Sequence, residues 1–282
     1  MPDRQQVLIF GFGYSARATA RAVKDAGGQV IATTRSADTA RQIEAGGYQA
    51  LVADPATPDG AKRLKSAVEH ADALVSTVPP TDAGDPILSA LSGLDLKAKR
   101  PIYLSTTGTY GDRKGGWAFE WEEPAPGQPR SVRRAKAEAA WLAQGGLSFR
   151  LGGIYGPGQS ALERLRDGKR VVDKPGQIFS RIHVDDIAGA VIEALKKPHV
   201  TGAFNLVDDW PSTQLDLMRA ASELSGLAMP EVIAYEDADL SPMAESFFSE
   251  TKRVSNARAK AVLGWRPRYR SAIDALQTMI AS

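Results

Sequence analysis

Three observations predict an α/β fold, a doubly wound parallel sheet with a smaller C-terminal lobe. The apolar run Val7-Leu8-Ile9-Phe10 breaks at Gly11-Phe12-Gly13-Tyr14-Ser15-Ala16. Short apolar runs then alternate with helical stretches as far as residue 151. Glycine or proline punctuates most of the changes between them, as expected where strands hand over to crossover helices.

Val7 to Phe10 reads as a strand buried on both faces. Ala16, Ala18, Ala20, Ala22, Val23 and Ala26 follow on a helix whose small side chains allow close packing, and Gly27-Gly28 ends it. Val30 to Thr34 is the second strand, a polar helix covers about 37–45, and Gln49 to Ala53 is the third strand, ending at Asp54-Pro55. A helix over 59–69 leads to a fourth strand, Ala73 to Val78, closed by Pro79-Pro80. A loop, a helix over 87–96 and the fifth strand, Pro101 to Ser105, come next. Gly111 to Arg130 is a long loop with Trp117 and Trp121, a candidate lid. A helix over 131–144 precedes the sixth strand, Leu147 to Leu151. Beyond it the alternation fades into an amphipathic stretch over 161–167, a helix after Asp185-Asp186 and a strand from Ala203 to Val207. A helix capped by Ser212, an acidic segment over 236–250 and two short closing helices complete the chain. Residues 1–155 are expected to form the dinucleotide-binding domain and 156–282 mainly the lobe, with 178–207 returning to the core.

The glycines of the first turn carry the chemistry. Strand, G-x-G-x-x-A, helix and strand within about thirty residues form the Rossmann fingerprint. Gly11 can adopt a tight turn, Gly13 lets a pyrophosphate approach the main chain, and Ala16 permits close helix packing. Free N–H groups at Tyr14 and Ser15 would then face the anion. At the end of the second strand, where an acid would accept from an NAD ribose, stands Thr33-Thr34-Arg35-Ser36. A guanidinium with small hydroxyls suits a 2′-phosphate, so NADP is expected over NAD. Gly11, Arg35, Asp54, Val78 and Thr106 all fall at carboxyl ends of strands, where ligands bind in such sheets.

Composition narrows the rest. At 282 residues the chain can bury about three quarters of its unfolded surface. It has no cysteine, so disulfides and thiolate chemistry are excluded, and its three histidines are scattered, so no metal is expected. The 35 basic and 33 acidic residues are intermixed, which disfavours nucleic acid as a partner. No run suits a signal peptide or a bilayer span, and a cytoplasmic protein without membrane association is expected.

Four further motifs are spread along the chain. They are Leu104-Ser105-Thr106-Thr107-Gly108-Thr109-Tyr110-Gly111, Arg150 through Gly156-Pro157-Gly158, Ile182-His183-Val184-Asp185-Asp186, and Leu263-Gly264-Trp265-Arg266-Pro267. Together, and in this order, they resemble the extended branch of the short-chain dehydrogenase/reductases, the NAD-dependent epimerase/dehydratase-like proteins. The resemblance implies that Thr106 binds the reacting oxygen and that a small-molecule substrate is used. A homodimer follows by analogy alone. The family's Tyr-x-x-x-Lys helix aligns with Ser131 to Glu138, so that Lys136 takes the place of the lysine that contacts the nicotinamide ribose. Val132 then falls at the tyrosine, and valine carries no proton. With G-x-G-x-x-A in place of G-x-x-G-x-x-G, the chain resembles an atypical subgroup. Tyr110 and Tyr155 are the candidate replacement acids, although the plainer readings are a packing residue at the pocket edge for Tyr110 and a wall residue for Tyr155. The expected function is that of an NAD(P)-dependent oxidoreductase or epimerase acting on a hydroxyl or ketone of a small, sugar-like substrate. A non-catalytic NADP-binding sensor or regulatory protein is the alternative.

Overall fold

The computed structural model describes residues 5–281. Strands β1 (Gln6–Phe10), β2 (Gln29–Thr34), β3 (Gln49–Val52), β4 (Ala73–Ser76) and β5 (Pro101–Thr106) are separated by helices α1 (Tyr14–Asp25), α2 (Ala37–Ala45), α3 (Pro58–His70) and α4 (Pro86–Ala90). Then come β6 (Trp117–Ala118), α5 (Pro129–Ala143), β7 (Leu147–Leu151), β8 (Gly153–Tyr155), α6 (Ala161–Arg166), β9 (Val171–Asp173), β10 (Arg181–His183), α7 (Val184–Leu195) and β11 (Gly202–Leu206). The chain closes with α8 (Gln214–Ser225), β12 (Val232–Ala234), α9 (Pro242–Phe248), β13 (Arg253–Val254), a π-helical turn at Ala259–Leu263 and α10 (Ala272–Ala281).

Seven strands form one parallel sheet in the order β11-β7-β5-β4-β1-β2-β3. Alternation along β1 explains why it has helices on both sides. Val7 and Ile9 pack with Ala16 and Ala20 of α1 and with Ile187 and Val191 of α7. Leu8 and Phe10 point the other way, to Leu64 and Val68 of α3 and Trp141 of α5. All four side chains are fully buried, and each such burial contributes roughly 1.5–3 kcal/mol. A third cluster joins Leu162 and Leu165 of α6, Met218 and Ala221 of α8, and Ala275 and Leu276 of α10.

The structure departs from the sequence reading in three places. Helix α4 stops at Ala90, well short of residue 96, because Ser92-Gly93 follow and Gly93 takes φ +87°. Helix α8 is capped by Thr213, whose hydroxyl accepts from Asp216 N. Ser212 instead accepts from the Arg181 guanidinium through Oγ, at 2.8 Å. The 111–130 segment is tethered rather than free. Thr251 N donates to Asp112 and Lys252 Nζ to Gly111 O, Arg113 pairs with Glu122, and β6 pairs with β13.

Candidate functional site

The glycine turn follows directly on β1. Gly11 has φ +87°, and a Cβ there would stand 2.8 Å from Thr77 Oγ1, so glycine is required twice over. Its N–H donates to Thr33 Oγ1 at 3.0 Å, while Thr77 Oγ1 donates to Phe10 O at 2.9 Å. Gly13 is different: nothing lies within 4 Å of where its Cβ would be, so this glycine keeps open a space that the protein itself does not fill. It caps the N-terminus of α1, whose first turn carries no acid. Arg17 N bonds to Gly13 O, which leaves the N–H groups before it directed outward. An open, electropositive backbone cradle is what a dinucleotide pyrophosphate needs, so the residues present fit that group.

The other expected cofactor residues border this turn with varied commitments. The Tyr14 phenol donates to Pro157 O at 3.0 Å and so braces the Gly156-Pro157-Gly158 turn, which leaves its backbone as the part facing the cradle. Burial pushes that phenol up to about 12. Val78 packs beside Gly11. Arg35 is exposed just past β2, where Ser36 caps α2 and Thr34 Oγ1 accepts from Ser36 N. Asp54 is half-buried past β3, and its Oδ1 accepts from Ala56 N.

A cleft of about 480 Å³ opens beyond β5 and β7, lined by Thr106, Ser131, Arg134, Gly152, Phe179 and Lys252 among others. Thr106 ends β5 opposite Leu151, and its Oγ1 accepts from Gly108 N at 3.1 Å. Helix α5 corrects the expected register. Lys136 is exposed and does not line the cleft, and neither does Val132. The face turned inward carries Arg130, Ser131 and Arg134. Glu138 sets this rotation. It is buried against β7, where Arg150 Nε and Nη2 donate to Glu138 Oε1 at 2.9 and 2.6 Å. Residues four apart share a helix face, so fixing Glu138 inward turns Arg134 toward the cleft, with Arg130 exposed at its mouth. Arg134 Nη1 donates to Tyr103 Oη and Leu104 O, both at 3.1 Å.

Neither candidate phenol lines the cleft with Thr106. Tyr110 is fully buried, donates to Asn205 Oδ1 at 2.8 Å and lies under the Arg150 guanidinium, 4.8 Å from ring centroid to Cζ. Burial pushes it up to about 12, and it does not reach the cleft. Tyr155 lines a neighbouring cavity of about 420 Å³ with Ser160, Glu163, Arg181 and Gln214. Its hydroxyl is buried without a hydrogen-bond partner among the described residues, and burial raises its pKa. Trp117 and Trp121 are exposed, and neither lines the cleft. Trp121 stacks on Phe119.

The cleft also takes in Arg130, Ser131, Arg134, Glu250 and Lys252, none of which a sequence motif singles out as a site residue. Glu250 and Lys252 pair at 2.7 Å at the end of the acidic segment. His183 caps α7, its Nδ1 accepting from Asp185 N at 3.1 Å. Asp185 pairs with Arg21 of α1, and Asp186 accepts from Arg268 N and Tyr269 N while its carbonyl takes the Trp265 indole N–H. Two of the motifs read from the sequence are thus halves of one joint. No cluster of metal-ligating side chains occurs among the described residues.

A parallel seven-stranded sheet with a glycine cradle at the head of α1 defines an NAD(P)-type Rossmann fold. The TrkA-N domain family matches residues 7–106. A conserved protein of unknown function from Silicibacter pomeroyi is 36% identical over 98% of this chain and 98% of its own, with a TM-score of 0.86. A putative NAD-dependent epimerase/dehydratase from Methylobacillus flagellatus is 25% identical over 98% of each chain, at 0.75. A human epimerase family protein solved with NADPH is 15% identical over 99% of this chain and 100% of its own, at 0.73, a likeness of fold. No curated protein matches the chain. The chain has a Rossmann NAD(P)-binding domain and matches members of the NAD-dependent epimerase/dehydratase family in structure.

Proposed function

We propose that this chain is an NADP-dependent oxidoreductase or epimerase of the atypical short-chain dehydrogenase/reductase subgroup, cytoplasmic, and acting on a hydroxyl or ketone of a small molecule. The observation that carries the reading is Gly13, which leaves an unfilled space at the N-terminus of α1. Backbone N–H groups of Tyr14 and Ser15 would hold the pyrophosphate, Arg35 the 2′-phosphate, and Asp54 and Val78 would border the adenosine half. When bound, the dinucleotide supplies or accepts a hydride. Thr106, at the cleft end of β5, would orient the substrate oxygen, with Ser131 on the facing helix. Lys136 has no part in this reading, because it is exposed on the other side of α5. Among the described residues no helix is long and apolar enough to cross a membrane.

The second reading, a non-catalytic NADP-binding protein, is favoured by one feature: among the described residues no phenol lines the cleft beside Thr106. Calorimetry with the two cofactors tests what both readings share. NADPH should bind at least about tenfold tighter than NADH, about 1.4 kcal/mol, and Arg35→Ala should remove that preference while sparing NADH. Equal affinity of the unmodified chain for both would overturn the NADP assignment. Turnover of NADPH with a panel of ketones separates the two readings.

A further inference from the structure

Helix α5 presents two arginines to the cleft at the spacing at which the family carries Tyr-x-x-x-Lys. Arg130 and Arg134 lie four residues apart on one face, with Ser131 beside them. Like charges so placed repel each other, and three acids around the helix and the cleft are committed elsewhere. Glu138, one turn beyond Arg134, is held by Arg150, Asp82 by Arg133, and Glu250 by Lys252. Arg134 spends only Nη1, on Tyr103 and Leu104, so the rest of its donor fork is unused among the described residues. Arg130 stands at the mouth with its guanidinium 4.1 Å from the Phe247 ring centroid, a contact that places the cation without neutralising it. Among the described residues three cations, Arg130, Arg134 and Lys252, and one acid, Glu250, line this cleft.

We propose that the cleft takes a substrate carrying a small oxyanion group, a carboxylate or a phosphate, held by Arg130 and Arg134 beside Thr106. A planar five-donor guanidinium matches either group. The proposal rests on the functional reading above for the idea that this oxyanion belongs to a substrate. A guanidinium does not release a proton near neutral pH, so these arginines bind and orient and do not replace the missing phenol as acid.

The test uses the full chain saturated with NADPH, so that the glycine cradle is filled, and titrates oxalate and inorganic phosphate by calorimetry. At least one anion should bind with a dissociation constant near or below about 1 mM. Arg130→Gln and Arg134→Gln should each weaken it about tenfold or more, while Arg133→Gln, on the residue paired with Asp82, should leave it unchanged. Arg130 is exposed, so its variant keeps the fold even if loss of the Tyr103 contact disturbs the other. Tighter oxalate identifies a carboxylate substrate and tighter phosphate a phosphorylated one. Absence of binding by both anions, or equal binding by wild type and both cleft variants, overturns the proposal. If NADPH alone fails to bind, the functional reading falls, and the same variants titrated without cofactor decide the anion site independently.

Discussion

Glu138→Ala is the sharpest test of how α5 is set against the sheet. The ion pair it breaks is almost wholly buried, with side-chain exposures of 5% for Arg150 and 3% for Glu138. Two donors, Nε and Nη2, converge on one carboxylate oxygen. Removing one partner of a buried pair strands the other charge and costs about 3–5 kcal/mol. Arg150 also lies over the Tyr110 ring, which recovers part of that, about 0.5–2 kcal/mol. The expected loss therefore lies at the lower end, about 3 kcal/mol, read as a lowered midpoint in equilibrium urea unfolding. Because the pair already leaves Glu138 Oε2 and Arg150 Nη1 unsatisfied, the double variant Glu138→Leu/Arg150→Met should recover most of the loss. A single-variant loss below about 1 kcal/mol would refute the reasoning, since it would class the pair with exposed ones.

Two further outcomes follow from the same geometry. Gly13→Val fills the space that nothing in the protein occupies, so it should abolish dinucleotide binding by calorimetry while circular dichroism stays native; normal NADPH binding would move the pyrophosphate elsewhere. Asp208 is buried, its Oδ2 has no hydrogen-bond partner among the described residues, and burial pushes its carboxyl from 3.8 up to about 7. The folded state thus keeps a proton that the unfolded chain has lost, and stability falls as pH rises through roughly 4 to 7. Asp208→Asn should raise the melting temperature more at pH 8 than at pH 5, and an equal shift at both would show that Asp208 does not titrate in that window.

The parallel sheet was legible because each of its strands is a short apolar run bounded by glycine, proline or polar turns, and β1 needed only its own four residues. The G-x-G-x-x-A turn was equally plain, since local backbone geometry dictates those residue types. Helix α5 was legible as a helix but not in its rotation. Its sequence offers cations at 130, 133, 134 and 136, and a motif that asks for lysine selects Lys136. What chooses the buried face is Glu138 reaching Arg150, a contact with another element that no local pattern announces. The same holds for Lys252 and Glu250, which reach the cleft only because β13 pairs with β6, more than a hundred residues earlier. Ser212 and Thr213 are adjacent good caps, and Arg181 decides between them by engaging the first.

The joint at Asp186 has a consequence for the order in which the molecule can be completed. Its carboxylate and carbonyl are satisfied by Trp265, Arg268 and Tyr269, which lie 79 to 83 residues further along. Until that stretch has emerged from the ribosome, helix α7 carries a buried acid without its donors, on the very face where the chain must return. Closing so long a loop is entropically unfavourable, and it comes after the sheet itself can form. A nascent chain halted short of residue 265 would therefore hold an assembled sheet with an unlatched flank, open to proteases. Asp186 thus ties the return of the C-terminal segment to a helix that flanks the sheet.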